Sequence, residues 1–202
     1  MSEGLRLVVI SIAELIADCS LVIGETKYQD NDISGLPGTF LEGESRAFYY
    51  PNLDDGDMQE EQLAKAKVKS ILHSGFSSQT IYEWLDAHSD DFESVGSLLL
   101  NLLNEDDNEF SEDIRFSTTR IVILEWFEVL EKYRRQGLGR ILAKKILYSA
   151  AARGECVMIQ PMLWDRNGNQ PERLKKFWMG LDKSMIYNSE FNTMYTSIFN
   201  EE

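Results

Sequence analysis

A chain of 202 residues with 43% hydrophobic and 11% aromatic content has the apolar material for one folded domain, which excludes a disordered or low-complexity protein. Its net charge of −14 is uneven: residues 1–118 hold 24 acids against 7 bases, and residues 119–202 hold 10 against 13. A net −17 in the first part repels nucleic acid and draws cationic partners such as amines or basic proteins.

In chain order, Leu5 to Ser11 reads as a strand, Ala13 to Cys19 as a short helix and Leu21 to Lys27 as a further strand. Arg6, Glu14 and Asp18 interrupt this apolar run and no basic segment precedes it. Neither a secretory leader nor a membrane span is expected, and the expected location is the cytoplasm. Gln29 to Gly38 is rich in Asn, Asp, Gly and Pro and reads as a loop, and Gly38 to Tyr50 as a strand. Cys19 and Cys156 lack CxxC spacing and read as buried thiols. His73 and His88 are too far apart in sequence to suggest a metal site.

Asp57 with Glu60 makes a capping box that predicts a helix running to about His73, with Leu63, Val68, Ile71 and Leu72 inward. Ser77 or Ser78 caps a second helix, in which Ile81, Trp84, Leu85 and His88 share a face. Asp90 opens a third, with Phe92, Val95, Leu98, Leu99, Leu102 and Leu103 as its stripe. Asn104 to Asp113 reads as an acidic loop and Ile114 to Ser117 as a short strand.

Ile121 to Leu130 is almost all apolar or β-branched and suits a buried strand. The glycines Gly137 and Gly139 then open a helix in which Leu138, Ile141, Leu142, Ile146, Leu147 and Ala150 recur at helical spacing, before Gly154 stops it. The first amides of a helix have no intrahelical partner and carry partial positive charge, so this end attracts phosphate. Arg134, Arg135 and Arg140 add cationic side chains to the same turn. Downstream, Cys156 to Leu163 reads as a second buried strand, Asp165 to Gln170 as a turn and Pro171 as the start of a helix carrying Leu174, Phe177, Trp178 and Leu181. Met185 to Asn188 and Met194 to Phe199 read as a closing antiparallel pair.

Arg134-x-x-Gly137-x-Gly139, led by Val129-x-x-x-Tyr133, resembles the acyl-CoA pyrophosphate loop of the GNAT family of N-acetyltransferases. The resemblance covers about residues 114–199. It implies a mixed α/β fold, with a central twisted mixed sheet flanked by helices and here an enlarged, helical, acidic amino-terminal half. Residues 1–202 would then be one acyl-CoA-binding domain, with 1–113 a divergent substrate-side part and 114–202 the CoA-binding part. The family's usual order is a strand, two helices, two or three strands, the loop helix, a strand, a helix and two closing strands. Its central strand and the strand after the loop helix splay apart to admit the acyl-pantetheine arm.

The resemblance further implies acetyl-CoA as cofactor, held by Arg134, Arg135, Gln136, Gly137, Leu138, Gly139 and Arg140, with Val129, Leu130 and Trp178 beside the acyl arm. Acetyl transfer to an amine needs a base, because an ammonium has no lone pair, and a donor for the developing oxyanion. Glu125 and Glu128 are the candidate bases on the strand. Regular alternation puts them on opposite faces, Glu125 with Ile123, Phe127 and Val129. Glu125 also stands where many family members carry a Glu or His, so it is the expected base, acting through water amid apolar neighbours. The oxyanion donor is expected to be the amide of Val129 or Leu130.

Family members often carry a Tyr where this chain has Trp178, and an indole N–H donates a hydrogen bond without acting as an acid. Tyr187, Tyr148 or water is left to protonate the thiolate. The expected partner is an amine-bearing, cationic acceptor, with no nucleic acid and no membrane, and nothing in the sequence excludes a homodimer. The competing reading is a non-catalytic protein on the same scaffold, whose acidic half binds a basic partner.

Overall fold

Most of the apolar runs in this chain pair edge to edge, and the helices pack on the two faces of the sheet they make. The computed structural model describes residues 21–23, 27–30, 40–49, 61–72, 77–88, 90–104, 120–151, 156–159 and 171–196. Its strands are β1 (Leu21–Ile23), β2 (Lys27–Asp30), β3 (Phe40–Tyr49), β4 (Glu61–Leu72), β5 (Arg120–Val129), β6 (Cys156–Ile159), β7 (Ile186–Asn188) and β8 (Thr193–Thr196). Its helices are α1 (Ser78–His88), α2 (Asp90–Asn104), α3 (Leu138–Ala150) and α4 (Pro171–Met179). The eight strands form one sheet in the order β1-β3-β4-β5-β6-β8-β7, with β2 also paired to β3. Among these pairings only β5 with β6 is parallel, and α3 makes the crossover between them.

The helices follow the sequence expectation closely. Ser77 caps α1, its Oγ accepting the Thr80 amide at 3.1 Å. Ile81 and Leu85 are buried, as is the whole stripe of α2 from Phe92 to Leu103. The strands expected near Gly38, Ile121, Cys156, Met185 and Met194 are also present. The single strand expected over Leu21 to Lys27 ends at Ile23, and Gln29 and Asp30 belong to β2 rather than to a loop. The elements expected before Leu21, the capping box at Asp57, the strand at Ile114, the stop at Gly154 and the turn after Asp165 lie outside the described residues.

One expectation is overturned. Glu61–Leu72 is a strand of 12 residues, not the end of a helix. Ala64, Ala66 and Val68 are fully buried on one face while Lys65, Lys67 and Lys69 alternate with them on the other. β4 is laddered to β3 on one edge and β5 on the other, so both edges of its backbone are satisfied. That tertiary gain outweighs the helix propensity of Ala and Lys, which favours a helix by only about 0.7 kcal/mol per residue at most.

The two faces carry separate cores. On one, Ala64, Ala66, Val68, Val122 and Leu124 pack with Leu142, Ile146 and Leu147 of α3 and with Trp178 of α4. On the other, Ile71, Ile121, Ile123 and Met158 pack with α1 and α2. The α1–α2 pair covers only part of that second face. Its remainder, on β3, β4 and β5, is a field of charged side chains, half-exposed or exposed except for the buried Lys69.

Candidate active site

The site begins with an irregularity in β5. The ladder between β4 and β5 pairs Lys67 with Trp126 and then Val68 with Leu124, so Glu125 is an extra residue opposite nothing. This β-bulge bends the strand and resets its alternation. Val122 and Leu124 face α3, and beyond the bulge Phe127 and Val129 pack on that same side. The expectation that Glu125 shares a face with Phe127 and Val129, opposite Glu128, is therefore corrected. Glu125 and Glu128 both reach the lysine row of β4: Glu125 lies 3.8 Å from Lys67 and 3.4 Å from Lys69, and Glu128 lies 3.7 Å from Lys65.

Nor is Glu125 enclosed by apolar neighbours. Lys69 Nζ also stands 3.6 Å from Glu42 and 4.2 Å from the Phe92 ring centroid, with 1% of its side chain exposed. Burial pushes the Lys69 pKa below its ordinary 10.5, while the carboxylates of Glu125 and Glu42 pull it back up. Glu125 Oε2 is itself buried, with the Lys69 ammonium 3.4 Å away.

A cavity opens at this point of the strand, lined by Leu124, Glu125, Trp126, Phe127, Ile159, Leu174 and Trp178, of which Leu124, Phe127 and Trp178 belong to the α3–α4 face and not to that of the lysine row. The parallel ladder to β6 runs from Ile121 to Leu124, so the bulge follows its last described pair. Phe127, Phe177 and Trp178 form an aromatic cluster at this point, with Trp178 edge-on to both rings at 5.8 Å and 4.8 Å.

At the end of β5 the two candidate amides part company. The Leu130 amide donates to the Leu63 carbonyl at 2.9 Å, which removes it as an oxyanion donor. In an antiparallel ladder the neighbouring residue points the other way, so the Val129 amide faces away from β4. Arg134 donates from Nε to the Val129 carbonyl at 2.8 Å and pairs with Glu128 at 2.6 Å, tying strand to turn.

The turn then runs through two left-handed residues, Arg135 at φ 63° and Gly137 at φ 79°. Such a turn is a concavity of backbone N–H groups suited to anions. Gly137 caps α3 without any side-chain hydrogen bond, so the first amides of the helix are left to a ligand. Gln136 donates to the Lys132 carbonyl at 3.1 Å, and Leu138 is buried beneath the turn. Tyr133, fully buried, donates to Glu61 of β4, and Lys132 pairs with the same carboxylate at 3.3 Å. These two contacts pin the turn to the sheet. A Cβ on Gly139 would meet Phe177 at 3.4 Å, an ordinary contact, so the protein itself does not require glycine there. The backbone therefore fits a diphosphate.

The Acetyltransferase (GNAT) family model matches residues 70–171. The chain belongs to the GNAT acetyltransferase family. No curated protein and no solved structure matches it.

In this GNAT chain the helix pair α1–α2 lies between β4 and β5, whereas the family's usual order places two helices after the first strand. Two expected residues stand apart from the cavity. The Tyr187 hydroxyl is on β7, with β8 and β6 between it and β5, and donates to Asn192 Oδ1 at 3.0 Å. Arg140 turns its guanidinium over Gly180, where a Cβ would come within 2.7 Å of it. Sequence reasoning missed Lys67, Lys69 and Glu42, which surround Glu125, and Glu61, which anchors Tyr133. The alternation Lys65-x-Lys67-x-Lys69 was the available signal. Among the described residues no group of His, Cys, Asp and Glu could hold a metal, and no helix is long and apolar enough to cross a membrane.

Proposed function

We propose that the chain is an acetyl-CoA-dependent N-acetyltransferase in which an acceptor amine attacks the acyl group directly, within a ternary complex. The observation that carries this reading is the bulge at Glu125. It sets Glu125 among the residues that line a cavity at the end of the β5–β6 ladder, on the strand that leads into the glycine turn. Bound acetyl-CoA supplies an activated acyl carbon and a thiolate leaving group. The backbone of residues 134–140 holds the diphosphate, and Phe127, Phe177 and Trp178 flank the arm. Glu125 accepts the proton of the acceptor ammonium, directly or through water, which frees the nitrogen lone pair. The Val129 amide is the candidate donor to the oxyanion. Tyr187 is not used as an acid: once the nitrogen has bonded to the acyl carbon, its second proton passes to the departing thiolate, directly or through water.

Glu125→Gln keeps the shape and removes the base. CoA release with amine acceptors should fall about 10²–10⁴-fold, while the heat of acetyl-CoA binding stays as in the wild type. Equal turnover by the variant would remove Glu125 from the mechanism. Capture of a basic protein with no turnover of any amine would instead favour the non-catalytic reading.

A further inference from the structure

Resting on that reading, we propose that the acceptor carries a carboxylate close to its amine, as a free amino acid does, and that Lys67 selects it. On the described face around Glu125 the carboxylates are already met by cations. Glu42 and Glu125 each lie within 3.8 Å of both Lys67 and Lys69, and Glu128 lies within 3.7 Å of Lys65 and Arg134. These four cations outnumber the three carboxylates by one. A polyamine would bring further positive charge into this excess, and like charges at such distances repel.

The lysines differ in what they offer a ligand. Lys69 is sealed against Phe92 with 1% of its side chain exposed, whereas Lys67 is 50% exposed and reaches the same Glu125 carboxylate at 3.8 Å. An acceptor nitrogen that reaches Glu125 Oε1 therefore arrives next to the Lys67 ammonium. In an α-amino acid the nitrogen and the carboxyl carbon are about 2.5 Å apart, from the N–Cα and Cα–C bond lengths. One small molecule thus spans Glu125 and Lys67 without a linker, its ammonium on the first and its carboxylate on the second. The second charge also supplies the anion this face lacks.

The test compares, for the full chain with acetyl-CoA, CoA thiol release by a panel of free L-amino acids, the matching amino acid amides, and spermidine. At least one amino acid should exceed its amide and spermidine by tenfold or more in kcat/KM, mostly through KM. Lys67→Met should abolish that preference and Lys67→Arg should restore much of it. Amides or spermidine turned over as well as the acids, or a preference that survives Lys67→Met, overturns the proposal. So does CoA release with none of the panel while calorimetry still detects acetyl-CoA binding. Absence of acetyl-CoA binding itself would instead remove the acetyltransferase reading on which the proposal rests.

Discussion

Lys69 keeps an ammonium group where 1% of its side chain meets solvent, and its pKa falls chiefly through that desolvation, with Lys67 adding to the fall. Between this lowered value and 10.5 the unfolded chain binds more protons than the folded one, so the contribution to stability rises with pH through that window. Lys69→Met lacks the term. Urea denaturation should therefore show the difference between wild type and variant moving in favour of wild type as the pH rises toward 10.5. A pH-independent difference would mean that Lys69 titrates alike in both states. Glu125 itself was legible, as a carboxylate in an apolar run four residues before Val129. Its neighbours were not. A bulge arises from the register between two strands, and alternation read along one strand carries no record of its partner.

At the level of elements, the division runs between structure that is satisfied locally and structure that is not. α1, α2 and α3 close their own hydrogen bonds, so apolar spacing with a Ser, Asp or Gly at the start was enough to place them. β4 has no such independence. Its Ala and Lys residues suit a helix until β3 and β5 pair on either side. The buried stripe of α2 makes a direct test of the second core: Leu99→Ala, at a fully buried position, should cost about 2–5 kcal/mol in chemical denaturation. The glycine turn calls for the opposite kind of test. Gly139→Ala adds a methyl that meets only ordinary contacts and improves helix propensity by about 1 kcal/mol, so stability should hold or rise. CoA affinity by calorimetry should nevertheless drop tenfold or more, since that methyl stands where the backbone would meet the diphosphate. Unchanged affinity would move the diphosphate off this turn.

For the molecule as a whole, charge and cofactor meet in one measurement. Residues 119–202 carry a net +3 within a chain of −14, so the cationic part is the part with the glycine turn. A ligand that binds only the folded state at about 100 times its Kd adds about 2.7 kcal/mol of stability. For a domain of this size each kcal/mol is worth about 2–4 °C, so saturating CoA should raise the melting temperature by about 5–10 °C. ATP and NAD present phosphates to the same turn but leave the aromatic cavity beside Phe127 and Trp178 empty, and their shift should be small. Gly137→Glu separates the turn from any unspecific effect of anions. It forces a side chain into the left-handed conformation of the cap at φ 79° and sets a carboxylate against the incoming diphosphate. The variant's own melting temperature should fall with the strain, and its CoA shift should vanish. A Gly137→Glu protein that still gained 5–10 °C from CoA would show that the turn does not hold the diphosphate, since backbone strain alone cannot preserve a shift whose binding site has been charged against it.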